Sequence, residues 1–296
     1  MAHSNRRIGY AAGIFAAAFY GLNPLFALPL YADGMDAWSV LLFRYLLSVP
    51  LLGLMLYWQG VSLRITRREA FSLFILGMLM AGSSALLYLS YNLMDAGIAS
   101  TILFVYPILT ALLMAVVYGE RMHWIVGACL ALATLGIVIL SGAGGKGDAH
   151  LSLSGVVMVL FSALAYALYL IYINRGGLQG MPSAKVTFYV LAMGCLLLIA
   201  GVAAQGHLSV PHGWQWGYSL GSALFPTALS LALTSVSIQH IGSTETAILG
   251  AMEPITAVTV GVTVFSERIT PQSAFGILLI VVAVTIVVAK GKKQEA

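Results

Sequence analysis

Long apolar runs, joined by short polar connections, fill most of this 296-residue chain. Most runs reach about 20 residues, the length that a helix needs to cross roughly 30 Å of hydrocarbon, and they lack the period-two alternation of an outer-membrane barrel. The pattern therefore predicts an all-α membrane protein with ten transmembrane helices. In chain order the predicted spans cover residues 8–30, 37–58, 71–91, 97–118, 123–141, 153–174, 184–205, 214–238, 244–265 and 272–290. None of the connections is long enough for a soluble domain.

Proline, tyrosine and charged positions recur at an interval of about 146 residues. The clearest pairs are Tyr20 with Tyr166, Pro107 with Pro254, and Glu120-Arg121 with Glu267-Arg268. The spacing predicts two five-helix repeats, residues 1–145 and residues 146–296. Because five is an odd number, the second repeat would cross the membrane in the opposite direction to the first. Such an inverted repeat is typical of secondary transporters, which bind substrate in a central cavity between the repeats.

Composition supports a membrane protein and argues against several kinds of site. Hydrophobic residues make up 60% of the chain and charged residues only 8%, whereas about a quarter of a soluble domain is charged. The net charge of +4 comes from basic residues scattered over short loops, so we expect no nucleic-acid surface. Cys129 and Cys195 lie alone in apolar runs, so the sequence predicts no disulfide, no metal site and no cofactor.

The distribution of lysine and arginine predicts the orientation, because cytoplasmic loops are enriched in both. With the N-terminus in the cytoplasm, eleven basic loop residues lie on the cytoplasmic side and two, Lys146 and Arg268, lie outside. Both termini are therefore expected in the cytoplasm, and the outer surface of the bundle is expected to contact membrane lipid. Arg6-Arg7 before the first run also fits a signal peptide, but that run is too long for one and its Tyr20 has a repeat partner.

Four segments carry the most specific pattern in the chain. They are Ala18-Phe19-Tyr20-Gly21, Ala165-Tyr166-Ala167-Leu168-Tyr169, Pro107 to Arg121, and Pro254 to Arg268. In order and spacing they resemble the drug/metabolite transporter superfamily, specifically its ten-helix EamA-type exporters, over essentially the whole chain. Within it the chain is most similar to bacterial aromatic amino acid exporters. The resemblance implies an inner-membrane transporter whose cavity is lined by spans one, three, four, six, eight and nine, with spans five and ten at the periphery.

Two ionisable residues fall inside the predicted spans, where a charge is costly and is usually functional. Arg44 lies in span two and has the planar fork that binds a carboxylate through two hydrogen bonds. Its alternative role is structural, joining helices or reaching the interface. Glu253 precedes Pro254 in span nine, where it can meet a substrate ammonium or carry a proton. Its alternative role is that of a buried acid hydrogen-bonded at a kink.

Tyrosines are the third candidate feature, because a phenol packs on apolar groups, donates a hydrogen bond and attracts cations to its ring face. The substrate-binding candidates in the spans assigned to the cavity by resemblance are Tyr20, Asn23, Tyr88, Tyr91, Tyr106, Tyr166 and Tyr169. Such a lining suits a ligand with an aromatic ring and a polar head. The alternative role of each tyrosine is helix packing or anchoring at the membrane interface.

Together these features predict a secondary transporter that exports aromatic and other neutral amino acids, its small-molecule substrates, by alternating access. A drug or another metabolite is the alternative substrate. An intramembrane enzyme is disfavoured because the sequence has no HExxH or GxSxG motif, and an ATP-driven pump because it has no Walker motif. A passive channel stays open as an alternative. One chain holds both repeats, so a monomer suffices, and the pattern does not decide between proton coupling and facilitated efflux.

Overall fold

The computed structural model describes residues 2–119, 124–143, 152–175, 178, 180–241, 246 and 249–291. The secondary-structure elements in these ranges are all helices, as the hydropathy pattern predicts. They are α1 (Ala2–Gly21), α2 (Asn23–Ala32), α3 (Ala37–Trp58), α4 (Arg67–Ser90), α5 (Ala96–Leu103), α6 (Tyr106–Tyr118), α7 (Trp124–Ala143), α8 (Leu153–Arg175), α9 (Ser183–Gln205), α10 (Gln215–Ala223), a π-helical segment (Leu224–Leu229), α11 (Ser230–Ile241), α12 (Met252–Phe265) and α13 (Pro271–Gly291). The predicted boundary residues Glu120-Arg121, and Lys146, lie outside the described residues.

Helix length and composition agree with a membrane protein. Within the described residues, seven helical stretches are at least 18 residues long and apolar enough to cross a bilayer. They are Arg6–Ala32, Ala37–Trp58, Arg67–Ser90, Ala96–Val117, Leu153–Ile173, Ser183–Gln205 and Gln215–Ile241. Shorter apolar helices cover Gly127–Ile139, Met252–Phe265 and Pro271–Ile286, in predicted spans five, nine and ten. The described helices thus account for all ten predicted spans.

Prolines mark the places where spans are interrupted. The breaks lie at Leu22, at Phe104-Val105 and at Gly250-Ala251, and Pro24, Pro107 and Pro254 follow them in the first turns of α2, α6 and α12. A proline is tolerated there because the first N–H groups of a helix have no intrahelical partner. Pro226 lies within the π-helical segment of span eight. Spans four and nine are therefore broken at equivalent positions of the two repeats.

Equivalent helix pairs make equivalent contacts in the two repeats. Helix α4 of span three packs against α8 of span six, and α11 of span eight packs against α1 of span one. In the first pair the Ser83 hydroxyl donates to the carbonyl of Ser162 at 2.9 Å, and in the second the Ser230 hydroxyl donates to the carbonyl of Ala16 at 2.9 Å. Helices α7 and α13, of spans five and ten, pack mainly against each other. The repeat seen in the sequence is therefore also present in the packing.

Loop contacts show that spans two and seven run in opposite directions. The start of α3 meets the segment after α9, where the N–H of Ser209 donates to Ser39 Oγ at 3.0 Å and the Ser209 hydroxyl donates to Asp36 Oδ2 at 3.1 Å. Near the start of α9, Lys185 Nζ donates to the carbonyl of Arg64, which follows α3, at 2.7 Å. Spans two and seven, which are equivalent in the predicted repeats, are therefore antiparallel.

Candidate substrate cavity

A cavity of about 80 Å³ lies between the two repeats. Its walls come from α1, α3 and α4 of the first repeat and from α8, α9, the π-helical segment and α11 of the second. The lining residues are Tyr20, Arg44, Tyr45, Met80, Tyr166, Tyr169, Thr187, Val190, Leu191, Pro226, Thr227 and Leu231. An apolar and aromatic wall with a few polar groups is typical of a small-molecule site.

The helices around this cavity differ in part from those that the family resemblance implies. Spans one, three, six and eight contribute as expected, but spans two and seven take the places of spans four and nine. The reason is that α9 packs against both α3 and α4, which brings Arg44 and Thr187 to the same space. Among the described residues, span four contributes none to the lining, but the ring of its Tyr106 meets that of Tyr166 edge to face at a centroid distance of 4.6 Å.

Arg44 supplies a positive charge to the cavity wall. The residue is only 5% exposed. Its Nε donates to Thr227 Oγ1 at 3.1 Å, one of its terminal nitrogens donates to the Tyr88 hydroxyl at 2.8 Å, and its Cζ lies 5.7 Å from the centroid of the Tyr88 ring. These partners are neutral, and Arg44 forms no salt bridge with any carboxylate among the described residues.

A buried cation with only neutral partners is costly in a hydrocarbon environment, so its place in the fold needs a reason. The guanidinium has five N–H donors, and Thr227 and Tyr88 accept from two of them. Arg44 also lines the cavity. A carboxylate entering the cavity would both neutralise the charge and accept hydrogen bonds from the guanidinium.

A chain of hydrogen bonds links Arg44 through Tyr88 and Asn23 to Tyr20. The Tyr88 hydroxyl donates to Asn23 Oδ1 at 3.2 Å, and Asn23 Nδ2 donates to the carbonyl of Tyr20 at 2.8 Å. The Tyr91 ring packs on that of Tyr88 at a centroid distance of 5.3 Å. Asn23, Tyr88 and Tyr91, which the sequence predicts to bind substrate, are not among the residues that line this cavity; Tyr88 contacts Arg44 directly, and Asn23 and Tyr91 contact Tyr88.

Three of the predicted tyrosines, Tyr20, Tyr166 and Tyr169, line the cavity directly. The rings of Tyr166 and Tyr169 stack at a centroid distance of 5.6 Å, which agrees with their three-residue spacing along one helix face. Tyr106 packs on Tyr166 from outside the cavity. The cavity therefore has an aromatic wall formed by α1 and α8.

Glu253 lies partly buried in the first turn of α12, beside the break that ends α1. A Cβ added at Gly21 would lie 2.5 Å from the Glu253 carbonyl oxygen, so α1 and α12 touch through their backbones here. The Glu253 carboxylate makes no hydrogen bond or ion pair with any residue that the structure describes. It is close enough to Tyr20 and Tyr106 to interact with both electrostatically, and Tyr20 also interacts with Arg44. Tyr20 is therefore within electrostatic range of both Arg44 and Glu253.

Apart from Arg44, the cavity-lining residues on α3 and α9 are not predicted from the sequence. Tyr45 lines the cavity while its hydroxyl shares a hydrogen bond with Ser84 at 2.9 Å, and Thr187 adds a hydroxyl from α9. An Arg-Tyr pair inside an apolar run was the available signal for Tyr45. Tyr45 is not predicted as a lining residue because the family resemblance implies that span two lies outside the cavity.

The chain matches the EamA-like transporter family twice, over residues 7–142 and over residues 153–289. It belongs to the EamA-like transporter family. The resemblance drawn from the proline and Glu-Arg segments is thus confirmed at the level of the family. An EamA-like protein is a membrane transporter rather than an enzyme, and this agrees with the apolar helices of the fold.

Relatives of this EamA-like chain include several bacterial transporters. It is 28% identical over 265 residues to an uncharacterized transporter of Synechocystis, covering 83% of this chain and 78% of that protein. It is 25% identical over 244 residues to the threonine/homoserine exporter RhtA of Escherichia coli, covering 80% of this chain and 77% of RhtA. A solved crystal structure that is 18% identical superposes with a TM-score of 0.66 over 99% of both chains, which supports the fold alone.

Proposed function

We propose that this EamA-like protein exports neutral amino acids, and the observation that carries the proposal is Arg44. Its guanidinium is buried in the cavity wall with neutral partners only among the described residues. A carboxylate is the ligand that this group binds most strongly, because two parallel N–H donors match two carboxylate oxygens. An amino acid brings such a carboxylate.

Glu253 and the tyrosines suit the other end of an amino acid. The Glu253 carboxylate has no described partner and interacts electrostatically with Tyr20, which also interacts with Arg44. A substrate ammonium placed next to Tyr20 would meet both the carboxylate and the negative face of an aromatic ring. Arg44 and Glu253 together would then bind the two charges of a zwitterion on either side of Tyr20.

The size of the cavity bears on the substrate. At about 80 Å³ it is well below the ~300 Å³ at the lower end of sites for drug-sized ligands. A small neutral amino acid therefore fits the described state better than a drug, and one relative is named as a threonine/homoserine exporter. The tyrosine-rich wall suits aromatic amino acids, which would require the cavity to widen. We infer neutral amino acids as the class and treat aromatic preference as the point to be measured.

The transport mechanism that fits this arrangement is alternating access. We infer that the repeats are inverted, that their rocking exposes the cavity to one side of the membrane at a time, and that residues 1–145 and 146–296 are the two moving halves. A bacterial inner membrane with both termini in the cytoplasm agrees with the bacterial relatives and with the lysine and arginine count. Both halves are in one chain, so a monomer contains a complete cavity.

The deciding experiment is uptake into proteoliposomes of labelled threonine, phenylalanine and a cationic dye, by the parent and by the variants Arg44→Gln and Arg44→Lys. We expect amino acid uptake by the parent and a loss of about tenfold or more in Arg44→Gln, because a hydrogen bond to a charged group contributes roughly 1.5–3 kcal/mol. Arg44→Lys keeps the charge but loses the fork, so its uptake should recover only in part.

The matched control is Arg64→Gln, which removes a guanidinium from an exposed loop and should leave uptake unchanged. A methyl ester of the transported amino acid lacks the carboxylate. It should therefore inhibit uptake by the parent only weakly, and inhibit uptake by Arg44→Gln equally weakly. If only the dye is transported, or if Arg44→Gln transports amino acids as fast as the parent, the assignment of amino acids is wrong.

A further inference from the structure

Glu267 connects the two repeats at the end of the bundle where α5 begins. Its two carboxylate oxygens accept hydrogen bonds from the N–H of Ala96 at 3.0 Å and from the N–H of Gly97 at 3.3 Å. These N–H groups belong to the first turn of α5, which has no intrahelical acceptor for them and carries the positive end of the helix dipole. Glu267 lies after α12 in the second repeat, so one side chain caps a helix of the other repeat.

The surroundings of this contact leave space for the carboxylate and little else. Helix α12 ends at Phe265, Ser266 follows with a left-handed φ of 57°, and the N–H of Glu267 donates to the carbonyl of Gly261 at 2.9 Å. A Cβ added at Gly261 would lie 2.0 Å from Glu267 Oε2, and one added at Gly97 would lie 2.9 Å from it. The two glycines make room for Glu267 from opposite sides.

We propose that Glu267 is a latch that closes this face of the transporter and must release α5 each time the cavity opens there. Helix α5 packs directly against α12, whose first turn contains Glu253. When halves of a transporter rock apart, a contact that joins them at one face is broken in the state open to that face. The hydrogen bonds from Ala96 and Gly97 are such a contact.

A second connection between the repeats lies at the same face. Chain direction places the start of α3, the end of α4 and the start of α5 together, and there Gln215 Nε2 donates to Asp33 Oδ2 at 2.7 Å and Ser209 donates to Asp36. The lysine and arginine count predicts that this face is the outer one. At the predicted outer face the repeats are therefore joined both by Glu267 and by the contacts of Asp33 and Asp36.

The charge on Glu267 gives the latch a direction of pH dependence. Burial, with a smaller contribution from Asp95, raises the pKa of Glu267 to about 7, while the two backbone N–H groups act in the opposite sense. Arg268 is the neighbouring charged residue on the same connection. Because the pKa in the latched state lies above the ordinary value of 4.5, protonation favours the latch, and its contribution is lost as the pH rises through about 7.

The test measures access to a cysteine beneath the latch. Val258 lies under the contact, since a Cβ added at Gly97 would be 3.0 Å from its Cα. The variant Val258→Cys is made in full-length protein whose Cys129 and Cys195 are replaced by alanine, and is labelled in proteoliposomes with a membrane-impermeant maleimide. Labelling is normalised at each pH to Val210→Cys, an exposed position (55%) on the α9–α10 connection at the same face. This removes differences in reagent reactivity and in protein orientation.

We expect Glu267→Ala, which leaves the α5 N–H groups without their acceptor, to raise the normalised labelling severalfold. In the parent, labelling should rise from about pH 6 to about pH 8. Glu267→Gln is neutral at both pH values and keeps one acceptor oxygen for the α5 N–H groups, so its normalised labelling should be the same at both pH values. The matched control Glu69→Gln removes a carboxylate that caps α4 within one repeat, and its labelling should follow the parent.

The proposal is overturned if folded Glu267→Ala is labelled no faster than the parent, or if Glu267→Gln keeps the pH dependence. Should Glu267→Ala fail to fold, the comparison of Glu267→Gln with the parent decides alone. No substrate is present in the labelling reaction, so its outcome is independent of whether the transported compound is an amino acid.

Discussion

At the scale of single residues, the proposed role of Glu253 can be tested separately from that of Arg44. If the Glu253 carboxylate binds the substrate ammonium, Glu253→Gln should raise the concentration of unlabelled amino acid needed to inhibit labelled uptake by about tenfold or more. The corresponding 2-hydroxy acid has the same carboxylate but no ammonium, so its weaker inhibition should be the same for the parent and the variant. Competition against labelled substrate in proteoliposomes measures both values.

Glu69→Gln serves again as the control, because its carboxylate is exposed and accepts hydrogen bonds from the N–H and hydroxyl of Thr66, the N-cap of α4. An equal loss for the amino acid and the hydroxy acid in Glu253→Gln would show that the residue acts on the protein rather than on the ammonium. That result would return Glu253 to the structural role considered from its position beside Pro254.

The sequence was sufficient to find the two charges but not their surroundings. Arg44 and Glu253 are conspicuous because ionisable residues are rare in apolar spans. The partner of Arg44, Thr227, is 183 residues away in sequence, and hydropathy says nothing about how a fully apolar helix is rotated about its axis. For the same reason Asn23 and Tyr88 were found as polar residues of the correct spans, whereas their orientation toward Arg44 was not.

At the scale of helices, the crossing of α4 and α9 depends on two glycines that face each other. A Cβ added at Gly77 would lie 2.8 Å from Met193 Cβ and 2.9 Å from the backbone nitrogen of Gly194. Because backbone cannot move aside as a flexible side chain can, Gly77→Ala should destabilise the fold by roughly 1–3 kcal/mol. Thermal unfolding of purified protein in detergent, followed by intrinsic fluorescence, measures the change.

Gly127 in α7 provides the matched control, since a Cβ added there has no described atom within 4 Å. Gly127→Ala should be neutral or stabilise by up to about 1 kcal/mol, because alanine is the better helix former. Equal unfolding midpoints for the two variants would show that the α4–α9 crossing has room that its backbone distances do not suggest.

The positions of the helices and of their breaks could be predicted from the sequence, because both depend on residues that are close together in the chain. The length of each apolar run predicts a span. Pro107 and Pro254 predict the breaks in spans four and nine, because proline has no N–H to donate to the preceding helical turn. The meeting of α3 with α9 was not predictable, since both are apolar all round. Close contact here depends on small residues such as Gly194, and their partners lie in distant parts of the sequence.

At the scale of the whole molecule, several pairs of packed helices join the two repeats in addition to the covalent connection between them. Helices α4 and α8, α1 and α11, α3 and α9, and α5 and α12 form separate interfaces between residues 1–145 and residues 146–296. We therefore predict that a specific protease site placed between residues 144 and 150, in a connection outside the described residues, can be cut without separating the halves. The cut protein should co-purify as two fragments in mild detergent and keep most of its amino acid uptake.

A linker of equal length without the site is the control. Fragments that separate on a sizing column would show that the covalent connection, rather than helix packing between repeats, maintains the cavity.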